Sequence, residues 1–176
     1  MIRSFIAIDF PAETTEKISR IISFFKQQTP DGTLKWVEPQ NLHLPLKFLG
    51  DIPENQIKPI LSCLDKTLKD TAAFEISIGE LGMFPTAKAP RVVWLGIRGA
   101  QPLTALHQEL DQALKALRIA PDKKPFSPHL TIARVRPSVE PQTVQSIGQT
   151  LSGFKVDSLG TLRIDRPPDR GIRRHG

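Results

Sequence analysis

Two short stretches with alternating residues, half a chain apart, constrain the fold of this sequence more than any other feature. The stretches are 41–50 and 126–134, and their histidines, His43 and His129, stand 86 positions apart in a chain of 176 residues. Apolar residues recur at every second position in each stretch, which is the pattern of a strand buried on one face. The pattern predicts two similar half-chains, each presenting one imidazole from the polar face of a strand toward a shared cleft.

The alternation also assigns the side chains of each stretch to one of two faces. In the first stretch, four apolar residues are predicted to face the core: Leu42, Leu44, Leu46 and Phe48. Three residues are predicted to share the opposite face: His43, Pro45 and Lys47. In the second stretch, Leu130 and Ile132 are predicted to be buried, while His129 and Thr131 stand together on the other face.

The rest of the chain alternates between helical and strand periodicity. Four helices are predicted, each beginning at a proline: Pro11, Pro53, Pro102 and Pro141. Segment 79–90 is predicted to be a loop, and a late strand is predicted around 154–156. The order of elements favours an α+β fold that is bilobal and pseudo-symmetric, with two small antiparallel sheets flanking a cleft and helices on the outside.

Charge and composition limit the domain organisation and the compartment. The net charge is +6, but half of this excess lies in residues 163–176, which carry five arginines against two aspartates. We therefore predict a single bilobal domain over residues 1–162, followed by a basic tail that is disordered or atypical. The single Cys63 and the absence of an apolar run of about 18 residues predict a soluble, cytoplasmic protein with no membrane partner.

Two facing imidazoles suit a reaction that needs a general base and a general acid near neutral pH. In-line displacement at phosphorus is such a reaction, with Thr131 as a hydrogen-bond donor to a phosphoryl oxygen and Lys47 as an added charge. The alternative for Thr131 is ordinary strand propensity, and for Lys47 it is a solvated strand position. No metal-binding or phosphate-loop motif is found, so neither a metal nor a cofactor is expected. His107 is predicted to be an exposed helix position without a role.

At these motifs the sequence resembles the two-histidine (2H) phosphoesterases, and most closely the RNA 2′,3′-cyclic phosphodiesterases formerly named 2′-5′ RNA ligases. That family carries two H-x-T-x motifs on strands that flank a cleft. The motif His129-Leu130-Thr131-Ile132 matches it closely, and His43-Leu44-Pro45-Leu46 matches except for proline in place of threonine. The resemblance covers about residues 1–157 and extends to segments 3–8, 84–85 and 90–96.

The resemblance implies a monomeric, metal-independent enzyme that acts on RNA with a 2′,3′-cyclic phosphate terminus, tRNA fragments included, and releases a 2′-phosphomonoester. It implies that His43 is the proton donor and His129 the proton acceptor. Four further residues are candidates for binding substrate: Thr131, Pro45 in place of the motif threonine, Lys47 and Arg134. Two alternatives stay open: a module that binds RNA ends with weak or no turnover, and a 2′-5′ RNA ligase running the reverse reaction. Segment 161–176 departs from the family's closing segment, which predicts an incomplete last strand.

Overall fold

Eight strands and four helices make up the computed structural model, which describes residues 1–69, 71–164 and 172–174. The strands are β1 (Ile2–Asp9), β2 (Leu34–Trp36), β3 (His43–Ile52), β4 (Phe74–Phe84), β5 (Val92–Arg98), β6 (His129–Val135), β7 (Thr161–Ile164) and β8 (Ile172–Arg174). The helices are α1 (Ala12–Gln28), α2 (Ile57–Leu68), α3 (Gln101–Lys115) and α4 (Pro141–Ser152). The predicted α+β class and the four helices that begin near prolines are confirmed.

The strands form two antiparallel sheets, and the two histidine strands belong to different sheets. One sheet has the order β3-β1-β8, with β3 at an edge, and the other has the order β2-β6-β5-β4-β7. Cα atoms of β3 and β6 come within 8 Å of each other, although no ladder joins the two strands. The two strands that begin with His43 and His129 therefore lie close together where the two sheets meet.

Each sheet is backed by two helices, and each pair of helices closes one hydrophobic core. Helices α2 and α3 pack with β1 and β3, whereas α1 and α4 pack with β5 and β6. Five leucines after Pro102 recur at helical spacing, which predicts one apolar stripe. Leu117 lies beyond the end of α3 and is half-buried, and the other four are buried: Leu103, Leu106, Leu110 and Leu114. Since burying one such side chain stabilises a fold by about 1.5–3 kcal/mol, this stripe fixes α3 firmly behind β3. Among the described residues, no helix is both long and apolar enough to cross a membrane.

A β-bulge interrupts each histidine strand three residues after the histidine. The ladder between β3 and β1 skips Leu46 and, farther along, Leu49, and the ladder between β6 and β5 skips Ile132. An extra residue on one strand shifts the alternation of side chains by one position. Two consecutive residues are consequently buried in each strand, Leu46 and Lys47 in β3 and Ile132 and Ala133 in β6. The residue after each buried pair, Phe48 or Arg134, is exposed.

The predicted faces of β3 are therefore wrong beyond the bulge. Lys47 is only 1% exposed, although it was expected on the open face beside His43. Phe48 is 53% exposed, although it was expected in the core. Strict alternation fails here because pairing with β1, and not the residue pattern of β3 alone, decides where the extra residue is inserted.

Two other expectations fail in part. Strand β4 continues to Phe84, through the first half of the predicted loop. A bulge at Glu80, with φ of 62°, lets the pairing with β5 resume at Leu81. Segment 154–156 is irregular, and the next strand is β7. In the segment that was predicted to be a disordered or atypical tail, Arg163 and Ile164 belong to β7, and residues 172–174 pair with β1. The remaining tail residues lie outside the described ranges, so the domain boundary at 162 stays a prediction.

Candidate active site

A cleft of about 520 Å³ opens where β3 meets the beginning of β6. It is lined by residues 45–48 of β3, by the loop 122–127 and by His129. This volume lies within the range of small-molecule sites in proteins. The cleft therefore joins His129 to the last two positions of the first motif, and His43 is not among the described residues that line it.

His129 is held in one orientation and one tautomer at the mouth of β6. Its Nδ1–H donates a hydrogen bond of 2.7 Å to the carbonyl oxygen of Ser127. A carbonyl can only accept, so Nδ1 carries the proton and Nε2 of the neutral ring keeps its lone pair. The rings of Phe84 and Trp94 pack edge-on against the imidazole, at centroid distances of 5.0 Å and 6.1 Å. His129 is thus prepared to accept a proton at Nε2.

The indole of Trp94 lies directly over the backbone of Gly82. A Cβ atom at position 82 would come within 2.1 Å of the indole ring. Only glycine leaves room for Trp94 to reach the side of His129.

His43 lies at the first position of β3, on the face that the bulge also gives to Phe48. The imidazole stacks on Phe5 of β1, with ring centroids 4.7 Å apart and an interplanar angle of 28°. The ring of Phe5 also contacts Phe48, at 5.8 Å. Because one ring contacts both, His43 and Phe48 share a face of the sheet.

Pro45 lies two residues after His43, on the edge strand β3, and lines the cleft. Proline has no N–H for a sheet ladder, so it is tolerated on edge strands and beside bulges. Pro45 meets both conditions, because β3 is an edge strand and the bulge lies at the next residue, Leu46. Pro45 therefore fits into β3 without losing a ladder hydrogen bond that a central strand would need.

The two remaining candidates of the second motif lie farther along β6. Thr131 is half-buried and stands opposite Trp94 in the ladder with β5. Arg134 is exposed, five residues beyond His129, which corresponds to about 16 Å along a strand. Neither is among the described residues that line the cleft. Substrate binding by Thr131 and Arg134 stays a prediction.

Lys47 is a buried residue beside the cleft, and its ammonium is held in an ion-pair cluster with two aspartates. Its Nζ lies 2.7 Å from Oδ1 of Asp111 on α3, and 2.9 Å from both Oδ1 of Asp122 and the carbonyl oxygen of Ala120. Burial alone would raise the pKa of the Asp111 carboxyl, but the Lys47 ammonium and the backbone N–H of Asp122 together lower it below its usual value. Since three protein acceptors already surround the ammonium, Lys47 does not stand in the predicted position for binding a phosphate.

His107 belongs to the same cluster, and the expectation that it is exposed is wrong. It is 4% exposed, its Nε2 lies 2.9 Å from Oδ2 of Asp122, and its ring stacks on Phe126 at 4.4 Å. The sequence did contain a signal for this burial. His107 lies four residues after Leu103 and three before Leu110, which places it on the apolar stripe of α3.

Three side chains in this cluster resemble a metal-binding set. One donor atom from each of His107, Asp111 and Asp122 falls within a group no wider than 4.8 Å. The Lys47 ammonium, however, contacts both carboxylates at 2.7–2.9 Å. The cation held by these carboxylates is therefore the side chain of Lys47.

Known proteins resemble this chain over most of its length. A family model for the 2′-5′ RNA ligase superfamily matches residues 12–168. A protein named RNA 2′,3′-cyclic phosphodiesterase from Methanothermobacter thermautotrophicus is 32% identical over 163 residues, covering 93% of this chain and 85% of the relative. One with the same name from Archaeoglobus fulgidus is 36% identical over 162 residues, covering 92% and 86%. The crystal structure of E. coli LigT complexed with 3′-AMP superposes with a TM-score of 0.67 at 25% identity, covering 92% of this chain and 83% of that chain.

Proposed function

This chain belongs to the 2′-5′ RNA ligase superfamily, and from that premise we propose that it is an RNA 2′,3′-cyclic phosphodiesterase. It hydrolyses cyclic phosphate ends to 2′-phosphomonoesters. The observation that carries the proposal is the pair of histidines that begin β3 and β6, with the tautomer of His129 fixed by Ser127. We also propose that it acts as a monomer in the cytoplasm, on RNA ends that include tRNA fragments.

The proposed reaction moves two protons and breaks one P–O bond. His129 Nε2 removes a proton from water as the water oxygen attacks phosphorus. The P–O3′ bond breaks, and His43 gives its proton to O3′, which leaves a free 3′-hydroxyl and a 2′-phosphate. Exchange of protons with solvent restores both imidazoles. The hydrogen bond from His129 Nδ1 to a carbonyl supports the assignment of His129 as the base, because it leaves Nε2 as the acceptor.

The other candidate residues would act on the phosphate and the RNA backbone. Thr131 would donate a hydrogen bond to a phosphoryl oxygen, while Pro45 leaves its side of the cleft without the matching hydroxyl. Arg134, exposed along β6, would contact RNA beyond the reacting phosphate. Lys47 would act only indirectly, through the cluster that it forms with Asp111 and Asp122.

Product analysis with a short RNA that ends in a 2′,3′-cyclic phosphate tests the proposed function directly. We expect turnover to a 2′-phosphate, because His43 protonates O3′ and not O2′. A 3′-phosphate product would contradict the assigned bond cleavage. Tight binding without turnover would favour the alternative of an RNA-end-binding module. This alternative arises for this chain because Pro45 lacks the hydroxyl group of the motif threonine. A joined product after addition of a 5′-hydroxyl fragment would indicate ligation.

We propose that hydrolysis needs no metal, since two imidazoles supply both proton transfers. Activity is expected to stay within about two-fold after exhaustive EDTA treatment, because general acid–base catalysis by His43 and His129 uses no Lewis acid. The measurement is the initial rate before and after chelation, with each divalent ion added back separately. Loss of activity that one divalent ion restores would contradict the proposal.

Restoring the motif threonine should increase activity. A threonine hydroxyl at position 45 would donate to a phosphoryl oxygen, and hydrogen bonds to charged groups contribute about 1.5–3 kcal/mol. Pro45→Thr is therefore expected to raise kcat/KM by about ten-fold or more, since 1.4 kcal/mol corresponds to a factor of ten. Pro45→Val is the matched control, because it restores the backbone N–H and the branched shape without the hydroxyl. Equal effects of threonine and valine would show that this position does not bind phosphate.

A further inference from the structure

The lining of the cleft that contains His129 also includes an exposed aromatic ring and two adjacent cations. Phe48 is 53% exposed, and Lys123 and Lys124 are both exposed side chains lining the same cleft. We propose that these three residues form a subsite for the RNA chain on the 5′ side of the cyclic phosphate. One base stacks on Phe48, and the two lysines contact the backbone phosphates that precede it. This inference rests on the proposed function, because it extends the substrate of the same cleft.

The two lysines lie on a loop that is anchored on both sides. Before them, the carboxylate of Asp122 is held by the ammonium of Lys47 and by Nε2 of His107, each at 2.9 Å. After them, the ring of Phe126 stacks on His107 at an interplanar angle of 8°. Because both ends of this short segment are fixed to α3 and β3, little loop entropy is lost when the lysines bind a phosphate.

The charge of this wall is complementary to a nucleic-acid backbone. Asp122 is the one acidic residue among the described residues that line the cleft. Its two carboxylate oxygens are already in contact with Lys47 and His107, so it does not neutralise Lys123 and Lys124. Proteins that bind single-stranded nucleic acids combine such a basic surface with aromatic rings on which bases stack. Phe48 offers that ring, and its contact with Phe5 fixes its position.

Chain-length preference is the property that tests this subsite. The ratio of kcat/KM for a short RNA with a cyclic phosphate end to that for a cyclic mononucleotide should exceed one, because only the RNA reaches the subsite. The double variant Lys123→Ala/Lys124→Ala should lower this ratio about ten-fold and reduce the salt slope of RNA binding by about 1.4, at about 0.7 for each lost phosphate contact. Phe48→Leu should lower the ratio by at least about five-fold, the weakest effect expected for a base stacked on an aromatic ring.

The matched control removes the same charge elsewhere. Lys58 and Lys66 are exposed on α2, outside the described lining of the cleft, and Lys58→Ala/Lys66→Ala should keep the ratio within about two-fold. An unchanged ratio in the Lys123/Lys124 variant, or an equal fall for both substrates, would overturn the subsite.

Binding of a short RNA ending in a 2′-phosphate, measured by fluorescence anisotropy with the full chain, separates this inference from the proposed function. Lysine-dependent binding without any turnover would retain the subsite and remove the hydrolysis. Turnover with no dependence of RNA binding on Lys123, Lys124 or Phe48 would retain the hydrolysis and remove the subsite.

Discussion

Replacing either histidine by alanine is expected to lower kcat by about 10²–10⁴-fold, the usual contribution of a general acid or base. The two variants should differ in how their residual activity depends on pH. In the wild type, one imidazole must be neutral and the other charged, which gives a bell-shaped profile near neutrality. His129→Ala should lose the acidic limb, where the base becomes protonated. His43→Ala should lose the alkaline limb, where the acid becomes deprotonated.

The double variant provides the internal control for this prediction. Groups that act as one unit are not additive, so His43→Ala/His129→Ala should be about as slow as the slower single variant. Thermal unfolding checks that the fold survives the changes. A single variant with near wild-type turnover would contradict the mechanism, and loss of the same limb in both variants would contradict the split of roles between donor and acceptor.

The sequence predicted those parts of the fold that repeat a local period. The leucines of α3 and the alternation around His129 are local patterns, and both are found in the structure. The bulges at Leu46 and Ile132 could not be predicted in this way, because a bulge is a property of two paired strands. The residues that follow the bulges therefore lie on other faces than the sequence predicted. The burial of Lys47 is the largest of these differences.

The candidate site divides in a similar way. His43 and His129 could be found from the sequence because each carries its motif within four residues. The cluster around Lys47 could not, because its partners come from α3 and from the loop that follows, more than 60 residues later. The charges of residues so far apart in the sequence do not show which of them form ion pairs. The position of His107 on the apolar stripe of α3 was the one local sign that it is buried.

The cluster around Lys47 leads to the second prediction with a large expected effect, which concerns the stability of the fold. Lys47→Met keeps most of the aliphatic chain but leaves two carboxylates, Asp111 and Asp122, close together without their cation. Removing one partner of a buried ion pair costs about 3–5 kcal/mol, and the 36% exposure of the Asp122 side chain reduces this because water screens part of the charge. We expect a loss of about 2–4 kcal/mol in the free energy of unfolding, measured by urea denaturation at pH 7.

The pH dependence identifies the cause of that loss. The pKa of Asp111 is lowered in the folded protein, so the stability that its carboxylate contributes is present above the ordinary aspartate value of about 3.9 and disappears as the pH falls through the lowered value. In Lys47→Met the carboxylates lack their cation, and protonating them relieves the repulsion. The difference in stability between wild type and variant should therefore shrink steadily below about pH 4.

Two further variants decide whether the unpaired charge, and not the lost packing of Lys47, produces the effect. Lys58→Met on the exposed face of α2 should change stability by less than about 0.5 kcal/mol, as surface substitutions usually do. Adding Asp111→Asn to Lys47→Met should recover part of the loss, because it removes one of the two facing charges. If Asp111→Asn instead adds its own cost to that of Lys47→Met, and the deficit is the same at about pH 3 as at pH 7, then Lys47 stabilises the fold by packing alone. The loop that carries Lys123 and Lys124 would in that case be anchored by the stacking of Phe126 on His107.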